Sequence, residues 1–292
     1  MNRQNIIISG ILAAGVLVLA RSWYETDHIT SAEYKLVSDK IPQNKKVKIA
    51  FLSDLHGKTY GKGNSDLIRL VLSGKPDLIF CGGDMYTASD GSSDKAVTFF
   101  LKILAGAAPT YFSFGNHEEY LRTETLKYGS RYERIEHELC CAEIKILDNK
   151  HADFENNISV YGLEIPKGYY QRMSRRSPDK SEIEKYLGFP DKSRYNILLA
   201  HTPAFGDAYE SWAADLVLCG HYHGGIVGLP DLKKSGSRRG LISPDLKLFP
   251  ECCEGKITKN GTNLIVSSGC GTHGLNFRLF NKPEVVFIEL SS

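Results

Sequence analysis

The run DLVLCGHYHGG (215–225) joins an apolar, strand-like stretch to a tip of two histidines bracketed by glycines. Gly220 before the histidines and Gly224–Gly225 after them let the backbone turn tightly and approach a neighbour closely. His221 and His223, two residues apart, share one face of a strand or converge on one point in a loop. Neutral imidazole is the commonest side-chain metal ligand, so the tip reads either as a metal site or as a polar turn with two solvated histidines. What decides between them, and decides the fold, is whether the same pattern recurs.

It recurs four times. KVKIAFLSD (46–54), DLIFCGGD (77–84), PTYFSFGNHE (109–118) and YNILLAHTP (195–203) are each short apolar runs that end in polar residues. Between the first three lie helical patterns. GNSDLIRLVLSG (63–74) has Ser65 or Asp66 as cap and Gly74 as stop, and SDKAVTFFLKILAG (93–106) has the same spacing of apolar residues. One long charged helix is expected over roughly 118–142. Three further strand signals, within 143–149, 151–156 and 158–166, follow without helices between them. A polar, basic stretch at 167–194 reads as an insertion, and a loop rich in glycine and proline (228–262) leads to closing strands at NLIVSSGCG and EVVFIEL. Strands alternating with helices, followed by clustered strands, indicate an α/β fold with a mixed sheet or two packed sheets.

With 292 residues, 42% of them hydrophobic, the chain can bury a large core. A net charge of +2 gives no field that would argue for nucleic acid. The seven cysteines include no C-x-x-C pair and no disulfide framework, and Cys81 and Cys219 read as small core residues. The N-terminus is unlike the rest. IIISGILAAGVLVLA (6–20) is uncharged, lies between Arg3 and Arg21, and is followed by Trp23 and Tyr24. Asn5 to Tyr24 is roughly 30 Å of helix, the thickness of a bilayer core, with aromatic residues at the far interface. Residues 1–24 are read as a single-pass membrane anchor, with a signal peptide cleaved after Val18-Leu19-Ala20 as the rival. Residues 25–45 form a linker with a candidate first strand at AEYKLVS (32–38), and 46–292 form the remaining domain.

The strand tips carry Asp54 and His56, Asp84, Asn116 and His117, His201, and His221 and His223. In an open α/β sheet such tips gather at the carboxyl ends of the strands, where ligands bind. Two aspartates, an asparagine and several histidines suit Mn²⁺, Fe or Zn²⁺. Alone, each has an ordinary explanation: a turn former, a helix cap or a satisfied core histidine. Five strand ends that all carry ligand-competent residues do not.

The series Asp54-Leu55-His56, Gly83-Asp84, Gly115-Asn116-His117-Glu118, His201 and Gly220-His221-Tyr222-His223 resembles the calcineurin-like metallophosphoesterases, with all five blocks in order over roughly residues 46–290. The tail SSGCGTHGLNFRLFNKPEVVFIEL is similar to a bacterial membrane-associated branch that includes phosphodiesterases and UDP-2,3-diacylglucosamine hydrolases. The resemblance implies two mixed β-sheets packed as a sandwich flanked by helices, here preceded by a transmembrane helix. It also implies two divalent metal ions, best suited to manganese. Asp54, His56 and His223 would hold the first, Asn116, His201 and His221 the second, and Asp84 would bridge them. A metal-bridging hydroxide would attack a phosphodiester or pyrophosphate, while His117 protonates the leaving alkoxide or stabilises charge on the phosphoryl group.

The chain departs from the family pattern at three places. A carboxylate often stands three residues after the bridging Asp and orients the catalytic histidine; here that position is Thr87, with Asp90 as a substitute. Tyr222 replaces a common Thr, and Ile226 a common Gln. GCGTHG (269–274) fits a dinucleotide fingerprint but has no helix and second strand after it, so it is rejected; His273 within it reads equally as a site residue or an exposed one. His28, His137 and His151 lack ligand neighbours. The insertion brings Tyr169, Tyr170, Arg172, Arg175, Arg176, Met173, Tyr186, Leu187 and Phe189, suited to phosphate oxygens, sugar faces or acyl chains if it folds as a cap over the metals, and otherwise a surface excursion. The expected protein is therefore a monomeric, membrane-bound hydrolase of lipid metabolism, with its catalytic domain outside the cytoplasm and a lipid-linked phosphate as substrate. The rival readings are a nucleotide phosphodiesterase and a non-catalytic binding module on the same fold.

Overall fold

Alternation along the strands builds two sheets. In the computed structural model, which describes residues 3–170, 177–230, 236–243, 248–250, 252–272, 274 and 276–292, the first sheet has the order β1-β13-β2-β3-β4-β5. Its strands are β1 (Thr30–Val37), β2 (Lys46–Leu52), β3 (Leu78–Cys81), β4 (Thr110–Phe112), β5 (Lys145–Ile146) and β13 (Glu284–Ser291). The second has the order β10-β11-β12-β9-β8-β7-β6. It contains β6 (Lys150–Phe154), β7 (Ile158–Leu163), β8 (Tyr195–Ala200), β9 (Leu216–Cys219), β10 (Ser237–Arg238), β11 (Glu254–Lys259) and β12 (Thr262–Val266). Both sheets are mixed: β2, β3, β4 and β5 run parallel in one and β7, β8, β9 and β12 in the other, with antiparallel strands toward the edges.

The period of two divides each central strand between layers. Ile49 and Phe51 of β2 point into the core between the sheets with Ile197, Leu199, Leu216 and Leu218, while Ala50 and Leu52 point outward. The outer face of the first sheet is covered by α2 (Ser65–Ser73), α3 (Asp94–Ala105), α4 (Asn116–Thr123) and α6 (Arg131–Cys141). The outer face of the second, with Leu198, Ala200, Val217 and Cys219, packs on α7 (Lys180–Leu187) and α8 (Gly206–Ser211). The architecture is thus an α/β sandwich of two mixed sheets between helical layers. Cys81 and Cys219 are buried in it as free thiols.

The single helix expected over 118–142 is broken. α4 ends at Glu124, a short α5 (Thr125–Tyr128) follows, and Gly129, with φ +59°, turns the chain into α6. A glycine–serine pair after a helix end is the local cause, and it outweighs the favourable helix formers on either side. The cap of α2 is Asn64 rather than Ser65 or Asp66, and its side chain accepts from Tyr60 N–H instead of from the helix.

α1 (Arg3–Asp27) inverts the usual pattern. Its apolar residues stand in the open, Leu17 at 70% and Leu19 at 64% exposure, while Ser22, Glu25 and Thr26 near its end are buried. It is long and apolar enough to cross a membrane. β1, which follows it, is the edge strand of the first sheet, parallel to β13 from Thr30↔Glu284 to Val37↔Ser291.

Glu284, the first residue of β13, is buried and accepts Ser268 N–H at 2.9 Å. Burial, and then repulsion from Glu254, lifts its pKa from the ordinary 4.5 to about 8. The folded chain therefore keeps a proton that the unfolded chain releases above pH 4.5, so this group's stabilisation is full below that point and is lost as pH rises through about 8. Thermal unfolding between pH 5 and 9 is expected to show a falling midpoint, and Glu284→Gln, which stays neutral, is expected to flatten that fall. An unchanged slope in the variant would remove Glu284 from the account.

Candidate dimetal centre

The site forms where parallel strands of both sheets end on the same side. Asp54 and His56 follow β2, Asp84 follows β3, Asn116 opens α4 after β4, His201 follows β8, and His221 and His223 follow β9. The loops are tied to one another through the backbone. Asp54 N–H donates to Gly83 O and His56 N–H to Asp84 O, both at 2.9 Å, and His221 N–H meets both carboxylate oxygens of Asp54 at 3.0 Å. Five of these residues have left-handed backbone: Asp54 (φ 53°), His56 (48°), Asp84 (53°), His221 (68°) and His223 (48°). Non-glycine residues rarely adopt it, and clusters of such strain mark functional sites. Gly220 is needed for a different reason: a Cβ there would lie 2.1 Å from Asp54 Oδ2.

Three carboxylate–imidazole groups result, each with donor atoms within 4.8 Å of one another: Asp54, His56 and His223; His56, Asp84 and His117; and Asp84, His201 and His221. His201 Nδ1 lies 2.9 Å from Gly82 O and His223 Nδ1 lies 3.1 Å from Gly271 O. A carbonyl only accepts, so each Nδ1 carries the proton and each Nε2 presents its lone pair to the site, as a metal ligand requires. The lone pair of His201 Nε2 is 3.2 Å from Asp84 Oδ2, and the Nε2 atoms of His56 and His223 face each other at 3.3 Å. Two acceptors as close as His201 Nε2 and Asp84 Oδ2 need a positive charge between them, a proton or a metal ion. The side-chain oxygen of Asn116 is buried and has no hydrogen-bond partner among the described residues. This nitrogen and oxygen donor set fits divalent cations of the manganese, iron and zinc type.

Electrostatics agree. Burial works against the Asp84 carboxylate, but His201, His117 and His56 outweigh it and hold its pKa well below the carboxylate range. Burial also opposes charge on His201, yet Asp84 overcomes it and raises the imidazole to about 10. Burial, reinforced by Arg278, takes His223 down to about 4 against the pull of Asp54, which keeps it neutral and ready to ligate.

His117 lies beside this set. Its backbone N–H donates to Asp84 Oδ1 at 2.8 Å, and its ring meets that of His56 edge-on at 4.8 Å. Asp90 is not its partner. That carboxylate sits in an exposed turn and accepts from the Ser92 amide and hydroxyl, a local contact that needs no reach across the loop. Ala88 N–H instead donates to His117 Nδ1 at 2.8 Å, so the ring proton is on Nε2. Arg131 holds the donor loop, binding Thr87 O, Ala88 O and Asp90 O and both oxygens of Asp94.

Several residues that position the site carried no clear signal in the sequence. Glu118 accepts from the amides of Asp84 (2.7 Å), Gly115 (3.0 Å) and Tyr86 (3.1 Å), and burial followed by Asp84 lifts it to about 7. Its place three residues into α4 is the half of a capping box that could have revealed it. The rejected GCGTHG motif serves here: Cys270 N–H donates to Ser53 O, Gly271 N–H to Asp54 O, and Gly271 O receives His223. Asn281 holds His223 O at 2.9 Å.

Tyr170 is the one insertion residue described at the site, with its ring 5.5 Å from that of His221 and 6.2 Å from that of His201. Tyr169 bonds Glu182, and Tyr186 and Leu187 of α7 pack on the second sheet, so that part of the insertion is structural. Phe189 is exposed. Arg172, Met173, Arg175, Arg176 and His273 lie outside the described residues. His28, His137 and His151 are exposed.

Two substitutions probe the scaffold. Gly220→Ala is expected to displace the Asp54 carboxylate and weaken Mn²⁺ binding, read by calorimetric titration, by about tenfold or more. Glu118→Ala strands three buried amides and is expected to lower stability by about 3 kcal/mol in denaturant unfolding. Unaltered metal affinity in the first, or unaltered stability in the second, would contradict these roles.

Comparison with known proteins agrees with this geometry. Residues 47–225 match the family model of the calcineurin-like phosphoesterases. The chain is 28% identical to a protein described as an uncharacterized metallophosphoesterase of Aquifex aeolicus, covering 94% of this chain and 97% of that protein. It is 31% identical to phosphodiesterase YaeI of Escherichia coli, over 83% of this chain and 82% of that one. The chain belongs to the calcineurin-like metallophosphoesterase family and is a metal-dependent phosphoric ester hydrolase.

Proposed function

We propose that the chain is a membrane-anchored dimetal phosphodiesterase. In this reading Asp54, His56 and His223 hold one divalent ion, Asn116, His201 and His221 hold a second, and Asp84 serves both. The observation that carries it is Asp84 Oδ2, 3.2 Å from His201 Nε2 and 3.8 Å from His56 Nε2, between the two donor sets. Two cations bound there would supply Lewis acidity and activate water for attack. The protein does the rest. Asp84 is kept ionised, Gly82 O and Gly271 O fix which nitrogen of His201 and His223 faces inward, and His117 is turned so that Nε2–H donates to a phosphoryl or leaving-group oxygen.

A phosphodiester is the preferred substrate class because the YaeI relative is named a phosphodiesterase. The lipid-linked character rests on α1 and on Tyr170, whose ring beside His221 and His201 can accept a sugar face or an acyl chain. A site tied to a bilayer meets lipid-linked phosphates at high effective concentration. In this reading the catalytic domain lies outside the cytoplasm, because the sequence carries Arg3 ahead of the apolar run while the charge of Arg21 beyond it is paired with Glu25 at 2.7 Å.

Exhaustive chelation is expected to abolish phosphodiester hydrolysis, and Mn²⁺ to restore it best. Asp84→Asn is expected to lower turnover by about a thousandfold and to remove the metal's thermal stabilisation, which is about 2.7 kcal/mol at a hundredfold excess over Kd. Full activity after chelation would overturn the reading. Tyr170→Ala is expected to raise KM for a lipid-linked diester well above its effect on a small chromogenic diester. An equal effect on both, or a preference for phosphomonoesters, would overturn the substrate assignment.

A further inference from the structure

The end of α1 is built into the domain by polar contacts. Arg278 N–H donates to Ser22 Oγ at 3.1 Å, Phe280 N–H to Glu25 at 2.5 Å, and Lys58 Nζ to Thr26 O and Asp27. Ser22, Glu25 and Thr26 are almost fully buried, so the helix leaves the domain in a fixed direction. The uncharged stretch ends at Ala20, and Glu25 is five residues further, about 7.5 Å along the axis. Headgroup layers are about 5–7 Å deep on each side of a bilayer core, so the backbone of Phe280 sits at interfacial depth when α1 spans.

Phe280 opens a patch. Of the eight large apolar residues described as exposed outside α1, four (Leu241, Leu248, Phe249 and Phe280) lie on segments joined in series to the end of that helix. Gly228 N–H donates to Leu279 O, Leu241 N–H to Val227 O and Phe249 N–H to Leu241 O, while Ile242 bridges to Leu248. Steps of this kind are about 4.8 Å each, so the patch stays within roughly 15 Å of α1. The other four are Val37, Phe99, Leu126 and Phe189, which lie far apart from one another along the chain. Around the end of α1 the composition is interfacial: Trp23 is 73% exposed, and Arg21 and Lys282 lie over the Tyr24 ring at 6.0 and 5.3 Å.

We infer that the face formed by 241–242, 248–249 and 279–280 is a bilayer-contact surface that seats the domain against the membrane beside its own helix. The consequence for the site is direct. Asn281, the residue after Phe280, donates to His223 O, so the metal-ligand loop is one hydrogen bond away from the segment in the interface. The site is thereby presented to phosphates at headgroup level, which rests on the reading of α1 as an anchor.

The test uses the full chain in phosphatidylcholine vesicles that contain brominated acyl chains, which quench tryptophan at close range. Native Trp23 reports whether α1 inserts, and Trp212 is buried and gives a constant background. Phe249→Trp and Phe280→Trp, each combined with Trp23→Phe, report the patch. Quenching at both new tryptophans is expected. Quenching of native Trp23 with none at positions 249 and 280 overturns the inference, and a dimer by sedimentation would then give the patch to a second copy. Quenching nowhere overturns the anchor as well. As a second readout, Leu248→Ser with Phe249→Ser is expected to lower hydrolysis of a vesicle-embedded diester about fivefold and leave a soluble chromogenic diester unchanged. If no phosphodiester is hydrolysed, the proposed function fails while the quenching result still stands on its own.

Discussion

A buried carboxylate that takes a backbone amide on one oxygen and faces imidazole nitrogens on the other has to stay ionised, and that requirement organises this protein. Asp84 Oδ1 receives His117 N–H, while Oδ2 lies among His201 and His56. Ionised charge below the surface is costly unless it is paired and hydrogen-bonded, and here the pairing is with three histidines contributed by three different strand ends. The loops must therefore meet. They do so because central strands of both sheets are buried on both faces and parallel, which brings their carboxyl ends to one edge of the sandwich.

Bringing the tips together bends the backbone. Left-handed φ at Asp54, His56, Asp84, His221 and His223 costs about 1 kcal/mol or more at each position. The cost is met locally by amides: Glu118 ties Asp84, Tyr86 and Gly115, and Asp54 receives His221 N–H. A chain that accepts this strain gains donor atoms already pointing inward, so a cation meets a formed site rather than ordering one.

Much of this was legible in the sequence because the informative features are short in range. An apolar run and the polar residues that end it lie within ten positions, and Asp54-Leu55-His56 or His221-Tyr222-His223 declares two donors at once. The role of Glu118 is not legible within its Gly115–Glu118 block, since its partners Asp84 and Tyr86 are more than thirty residues away. The replacement for the missing carboxylate at Thr87 was unreadable for another reason: it is a backbone amide, Ala88 N–H, and any residue but proline provides one. The glycines at 269–271 looked like a nucleotide motif because close backbone approach is what such glycines provide, and here the backbone approached is that of Ser53, Asp54 and Leu55. The break at Gly129 was local and readable, but charged helix formers on either side masked it.

The N-terminal helix extends the same logic to the molecule's edge. In a soluble helix the apolar stripe is inside and the polar residues are outside; α1 reverses this, with Leu17 and Leu19 bare and Ser22, Glu25 and Thr26 covered. In the anchored reading proposed above, two solvents act on this one helix, lipid along most of its length and protein around its end. That last turn holds the 278–281 segment through Ser22 and Glu25, and the 278–281 segment holds Gly271 O through Arg278 and His223 O through Asn281. His223 Nδ1 rests on that same Gly271 O. A chain of buried hydrogen bonds thus runs from the helix to an imidazole that faces Asp54, with no flexible linker between them, so the direction in which α1 leaves the domain also sets the direction in which the site opens.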